Sequence, residues 1–161
     1  MARTRPVDPT ADIGLLTLAV AGGITARMRE QLEEAGFDDV RDSHGYVVQG
    51  LLAGDTTVTA LAVRLGVSAQ AVSKSVTELE RAGYVRRGHD PDDGRARPLE
   101  LTTRGDTLVQ ASRRARQSVA RDLSRWLGTR DQEELVRLLQ HAAEHYGGLD
   151  ALTTRRLRPP G

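Results

Sequence analysis

The chain has 161 residues, enough for one domain with a real core, and its 23 Lys+Arg against 22 Asp+Glu leave a formal net charge of +1. Overall charge therefore makes no argument for a nucleic-acid partner, and any basic surface must arise from local segregation of charge. The absence of cysteine excludes a disulfide framework, a thiolate metal site and a cysteine redox sensor, while an aromatic content of 3% argues against a base-stacking single-strand binder.

Residues 1–10, with Pro6 and Pro9, read as a loose arm. From about Ala11 to Ala35 the pattern is helical: Ile13, Leu16, Val20, Ile24 and Met28 recur at spacings of three and four, with Leu15 and Leu18 widening the apolar arc. An arc this wide predicts cover on more than one side. The apolar start of the segment resembles a signal peptide, but Asp8 and Asp12 precede it and Arg27, Arg29 and Glu30 continue it as an amphipathic helix. The run is also too short to span a bilayer. The expectation is a cytoplasmic protein without a membrane segment.

Gly36 suits a helix end. A second helix is predicted from about Asp39 to Ala53, with Val40, Val47, Val48, Leu51 and Leu52 on its buried side. Thr56 to Val58 reads as a short β-like patch. Thr59 is placed to cap a short helix, Ala60 to Leu65; Gly66 supplies a turn, and Ser68 caps a further helix from Ala69 to about Ala82. Gly83 ends that helix. Tyr84 and Val85 open a strand, and the Asp-, Gly- and Arg-rich stretch from His89 to Arg97 has the composition of a turn. Leu99 and Leu101 alternate with Pro98 and Glu100 as the returning edge strand. Thr102 or Thr103 caps a long helix reaching about Leu127. Gly128 and Thr129 interrupt, and a last helix covers Asp131 to about Tyr146. The basic tail from Thr153 reads as a mobile end.

The stretch from Thr59 to Thr102 carries the functional signal: a short helix, a glycine turn and a second capped helix form a helix-turn-helix, followed by a hairpin. On the second helix Val72, Val76 and Leu79 share an apolar face. Gln70, Ser73, Lys74 and Thr77, at i, i+3, i+4 and i+7, share the opposite one. That face is polar, short-chained and free of acid, as a helix lying in a major groove requires. Gln pairs with adenine, Ser and Thr reach bases or phosphates, and Lys binds guanine or phosphate. Glu78 and Glu80 come later and are expected to lie further from DNA. At the hairpin tip Arg95 and Arg97 stand beside Asp90, Asp92 and Asp93, and arginines there suit a narrow minor groove. Ala62 is small where the two helices would cross.

The runs Leu65-Gly66-Val67-Ser68, Val72-Ser73-Lys74 and Leu79 through Arg87 resemble the recognition region of the MarR family of transcription regulators. Asp90-Pro91-Asp92-Asp93-Gly94-Arg95, followed by Leu101-Thr102 and Gly105, resembles its wing. The resemblance implies a mainly α fold with a small β-hairpin wing. A winged helix-turn-helix lobe (residues 56–102) would be flanked by dimerisation helices (11–36 and 103–146) in a single domain. It implies a homodimer on a pseudo-palindromic operator in double-stranded DNA, with repression as the usual sense. Ser68, Gln70, Ser73, Lys74, Thr77, Asp93, Arg95 and Arg97 are the expected DNA-binding residues, with Asp93 positioning Arg95. Lys74 stands where many members carry Arg, and Gly94 where many carry a further basic residue. Leu123, Trp126 and Leu127, with Leu135, Leu138 and Leu139, hold more apolar surface than one thin layer hides, which supports a dimer independently.

The resemblance also implies release by a small aromatic or anionic effector, for which Arg41, His44 and Tyr46 are the candidate pocket residues; the plainer reading of His44 is a helix histidine bonded to a neighbour. His141 and His145, four apart and with His44 as a conceivable third ligand, keep a zinc-responsive regulator as an alternative, although no metal site and no cofactor is predicted. A winged-helix protein-interaction module without DNA binding is the other alternative. No P-loop and no G-x-S-x-G is present, and Ser43-His44 adjacency does not make a nucleophile and its base, so no enzyme is expected.

Overall fold

The computed structural model describes residues 8, 10–88, 98–149 and 152. The expected N-terminal arm, hairpin tip (89–97) and basic tail from Thr153 fall outside them. Six helices and a two-stranded hairpin follow one another as α1 (Ile13–Glu34), α2 (Asp42–Leu52), α3 (Val58–Leu65), α4 (Ala69–Arg81), β1 (Val85–Arg87), β2 (Leu99–Leu101), α5 (Thr103–Leu127) and α6 (Thr129–His145). This is the expected mainly α fold with a small hairpin.

Side-chain caps set most helix starts. The Asp12 carboxylate accepts from the Leu15 N–H, the Thr57 hydroxyl from Ala60, Ser68 from Ala71 and Thr102 from Gly105. The α3–α4 turn needs a left-handed residue, and Gly66 supplies it at φ +65°. The strands pair antiparallel in the register Val85↔Leu101, Arg86↔Glu100 and Arg87↔Leu99.

Three sequence expectations change here. Thr56 to Val58 forms no strand. Only the Thr56 carbonyl joins the hairpin, accepting from the Leu99 N–H at 2.8 Å. Thr57, not Thr59, caps the short helix, because its hydroxyl reaches the Ala60 N–H at 3.1 Å and α3 then starts at Val58. Third, Leu52 is 44% exposed and is not part of the buried side of α2. That side is set by His44, Val47, Val48 and Leu51 at helical spacing, and Leu52 falls a further 100° around the axis.

The core lies in the lobe built from α2, α3, α4 and the hairpin. Val47 and Val48 of α2, Leu61, Ala62 and Leu65 of α3, and Val72, Val76 and Leu79 of α4 are buried together with Tyr84, Leu99, Leu108 and Val109. Two glycines permit the closest approaches: a Cβ on Gly50 would strike the Leu61 side chain, and one on Gly105 would strike the Tyr84 carbonyl. The outer helices differ. No residue of α1 or α6 is buried, and Ile13, Leu18 and Trp126 are 83%, 70% and 81% exposed. Helix α1 packs along α5, and Ile24, Val119, Leu123 and Trp126 wall a shallow apolar groove between them. Among the described residues no helix is long and apolar enough to cross a membrane.

Candidate nucleic-acid interface

Helix α4 is held by its apolar face. Val72 is 2% exposed and Val76 and Leu79 are 0%, so the rotation of the helix about its axis is determined by burial. The opposite face then turns outward. Gln70, Ser73, Lys74 and Thr77 line one open depression of about 440 Å³, together with Glu78 and Arg81. Gln70, Ser73 and Lys74 are exposed and Thr77 is half-buried, its hydroxyl donating to the Ser73 carbonyl at 2.9 Å. Ser68 stands at the N-terminal end of the same helix, where its Oγ accepts from Ala71 at 3.2 Å. The five candidates on α4 and its cap are thus brought together on one surface. Asp93, Arg95 and Arg97 lie outside the described residues; β1 precedes them and β2 follows them in the chain.

Glu78 does not lie clear of this surface, as its place in the sequence suggested; it borders it. Its carboxylate is held from α2: Arg41 Nη1 donates to Oε1 and Oε2 at 3.0 and 3.1 Å, and His44 Nε2 lies 2.9 Å from Oε2. His44 is 3% exposed, and its Nδ1 accepts from the Arg41 backbone N–H at 3.2 Å. With Nδ1 accepting, the proton of a neutral ring sits on Nε2 and is donated to Glu78. The hydrogen bond from His44 first, and then the charge of Arg41, hold the Glu78 carboxyl below the usual glutamate range, against the opposing effect of desolvation. The acid is therefore tied to α2 and its charge is compensated beside Lys74.

This cluster takes in two of the three candidate effector residues. Tyr46 is exposed and, two residues from His44, points to another side of α2. Glu78 was absent from the sequence-derived site; a carboxylate at i+4 from Lys74 on a helix expected to meet phosphates was the signal that it needed a partner. His141 and His145 lie on α6, and the His145 ring packs edge-on against Tyr146 at 4.9 Å. Among the described residues no three His, Asp or Glu side chains gather as a metal site.

A second polar cluster anchors the lobe to α5. The Tyr84 hydroxyl donates to Asp39 and receives a bond from Arg104 Nη2 at 3.0 Å, while the Arg104 guanidinium lies 4.8 Å from the Tyr84 ring centroid and 5.9 Å from that of Phe37. Burial, followed by the bond to Asp39, raises the Tyr84 pKa, so the phenol keeps its proton.

Residues 39–96 match the model of the MarR family. That segment is thus similar to the MarR family. The matched residues contain α2, α3, α4 and β1, and the family is one of DNA-binding transcriptional regulators. Among solved structures, YusO from Bacillus subtilis is 24% identical with a TM-score of 0.67, over 84% of this chain and 94% of that one. A mutant MepR from S. aureus, bound to an oligodeoxyribonucleotide, is 22% identical with a TM-score of 0.62, over 84% and 98%. Wild-type MarR from E. coli, in its apo form, is 22% identical with a TM-score of 0.60, over 81% and 96%. These likenesses show that the MarR fold extends beyond the matched segment into the flanking helices. No similar sequence was found among curated proteins.

Proposed function

We propose that this chain is a homodimeric, sequence-specific regulator of the MarR family that represses transcription from a pseudo-palindromic operator and is released by a small aromatic or anionic effector. The observation that carries the reading is the outward face of α4. Gln70, Ser73, Lys74 and Thr77 share one surface on a helix whose rotation is set by Val72, Val76 and Leu79. In this reading α4 enters the major groove, Gln70 and Lys74 meet base edges or phosphates, and Ser68 stands where a helix N-terminus attracts a phosphate. Arg95 and Arg97, with Asp93 holding Arg95, enter the minor groove. The MepR structure bound to an oligodeoxyribonucleotide supports the partner, since its fold is shared over most of this chain.

The dimer is supported by the bare apolar faces of α1 and α6. Ile13, Leu16, Leu18, Leu138 and Leu139 are all more than 40% exposed, a larger apolar surface than a monomer ordinarily leaves. Two recognition helices related by a two-fold axis would read half-sites about 34–36 Å apart. The effector reading draws on Arg41. An anionic ligand competes with Glu78 for that guanidinium and would loosen α4 from α2. Such a ligand changes DNA affinity only by binding the two arrangements unequally.

The test is selection of sites from a random duplex library, followed by a salt titration on the winning sequence. A two-fold symmetric motif with affinity falling steeply in salt is the expected result. Absence of an enriched motif, with weak binding indifferent to sequence, would favour a winged-helix interaction module instead.

A further inference from the structure

Helix α5 carries a second stripe that the recognition helix does not account for. Gln110, Arg113, Arg114, Gln117 and Arg121 stand at i, i+3, i+4, i+7 and i+11, and all five are exposed. They share one face, opposite the buried Leu108, Val109, Ala111 and Ala115. The spacing equals that of Gln70, Ser73, Lys74, Thr77 and Arg81 on α4. No acid occurs between Asp106 and Asp122, and among the described residues Arg113, Arg114 and Arg121 are within ion-pair distance of no carboxylate. In a chain of net charge +1, three neighbouring arginines without counter-charges are the local segregation that overall composition concealed.

We infer that this stripe of α5 binds the sugar–phosphate backbone of duplex DNA without reading its sequence. The choice of duplex rests on the function proposed above; the anionic character of the partner rests on the stripe alone. Guanidinium groups bond phosphate oxygens bidentately, and Gln110 and Gln117 add neutral donors between them. From Gln110 to Arg121 the stripe runs about 16.5 Å at 1.5 Å per residue, long enough to meet several phosphates of a duplex bearing one charge per ~1.7 Å of axis. The face has no apolar residue to anchor a base or a protein core, so it contributes affinity and orientation without sequence preference.

The test compares the full-length protein with a triple variant, Arg113→Gln, Arg114→Gln and Arg121→Gln, on a duplex of random sequence across a range of salt. The salt slope should fall by about 2.7 for each protomer on the duplex, roughly 0.9 for each phosphate no longer neutralised, while the bases preferred in site selection stay the same. A companion variant with Lys at the same three positions should recover most of the slope, because a point charge suffices for phosphate. An unchanged slope in the Gln variant, or a Lys variant that recovers nothing, overturns the inference. Loss of the dimer in the Gln variant overturns it too, by assigning the stripe to a contact between copies. If the wild-type protein shows no enriched motif but the slope still depends on these arginines, the proposed function fails and the stripe stands. If Lys74→Ala lowers the slope and the triple variant does not, the stripe fails and the proposed function stands.

Discussion

Both carboxylate oxygens of Glu78 are taken by donors from α2, and the consequence is a pH-dependent contribution to stability. Its folded pKa lies below the unfolded value, so the contribution is complete above the usual glutamate range and is lost as pH falls through the folded value. Glu78→Gln should therefore be less stable than the wild type at neutral pH, and the difference should shrink as pH is lowered below the usual glutamate range; urea denaturation across that range reads it. A difference that persists in acid would mean that the charge of Glu78 is not what holds α4 to α2. Gly105 tests packing at the same scale. A methyl group there meets the Tyr84 carbonyl, which also accepts from the Thr102 N–H at 3.0 Å and so has no room to retreat. Gly105→Ala should cost about 1–3 kcal/mol, outweighing the ~1 kcal/mol that alanine gains over glycine within a helix. An unchanged denaturation midpoint would contradict this geometry.

The element that matters most is α4, and Ser68 gives it two separable properties. As the N-cap it satisfies the Ala71 N–H, and at the helix end it stands where a DNA phosphate is proposed to lie. Ser68→Ala should cost about 1 kcal/mol of stability. Ser68→Asp preserves the cap and should unfold at nearly the wild-type midpoint, yet bind operator DNA more weakly, because a carboxylate then faces the phosphate. Equal DNA affinity for the Asp variant and the wild type would place the duplex away from this end of α4. The wing is the other element at stake. Arg95→Ala should weaken binding and relax the preference for A·T at the edges of the site, as read by repeating the site selection. Lys74→Ala should lower affinity similarly for all sequences and reduce the salt slope by about one for each protomer on the duplex if Lys74 lies on a phosphate.

At the scale of the whole molecule, the chain divides its apolar surface unevenly. The DNA-binding lobe buries its own in a closed core, whereas α1 and α6 leave theirs bare. A second copy covering those helices explains the asymmetry. The full-length protein should sediment as two chains, and Leu16→Glu combined with Leu138→Glu should shift it to one chain while the lobe retains a cooperative melt. A wild-type protein that sediments as a single chain at micromolar concentration would remove the dimer from the proposed function. Site selection with the monomeric double variant should then return half-sites instead of a two-fold motif.

Local physics makes much of this molecule legible in its sequence. Caps at Ser68 and Thr102, the left-handed turn at Gly66, the opposed faces of α4 and the alternation around Leu99 are properties of residues a few positions apart, and they determined the helix-turn-helix, its hairpin and the outward set Gln70, Ser73, Lys74 and Thr77. Other features depend on partners far apart in the chain. Thr56 to Val58 looked like a strand on β propensity, but only the Thr56 carbonyl meets Leu99, and a cap at Thr57 claims the rest for α3. His44 and Glu78 are separated by 34 residues, so the buried bond that unites them and sets the electrostatics of the recognition face could not be read from either neighbourhood. The same holds for Tyr84, Asp39 and Arg104. Sequence alone determined the helix-turn-helix and its hairpin, because their signals are local; the tertiary structure decided which charges are compensated and which apolar faces stay uncovered, because burial and ion pairing depend on what the fold brings close.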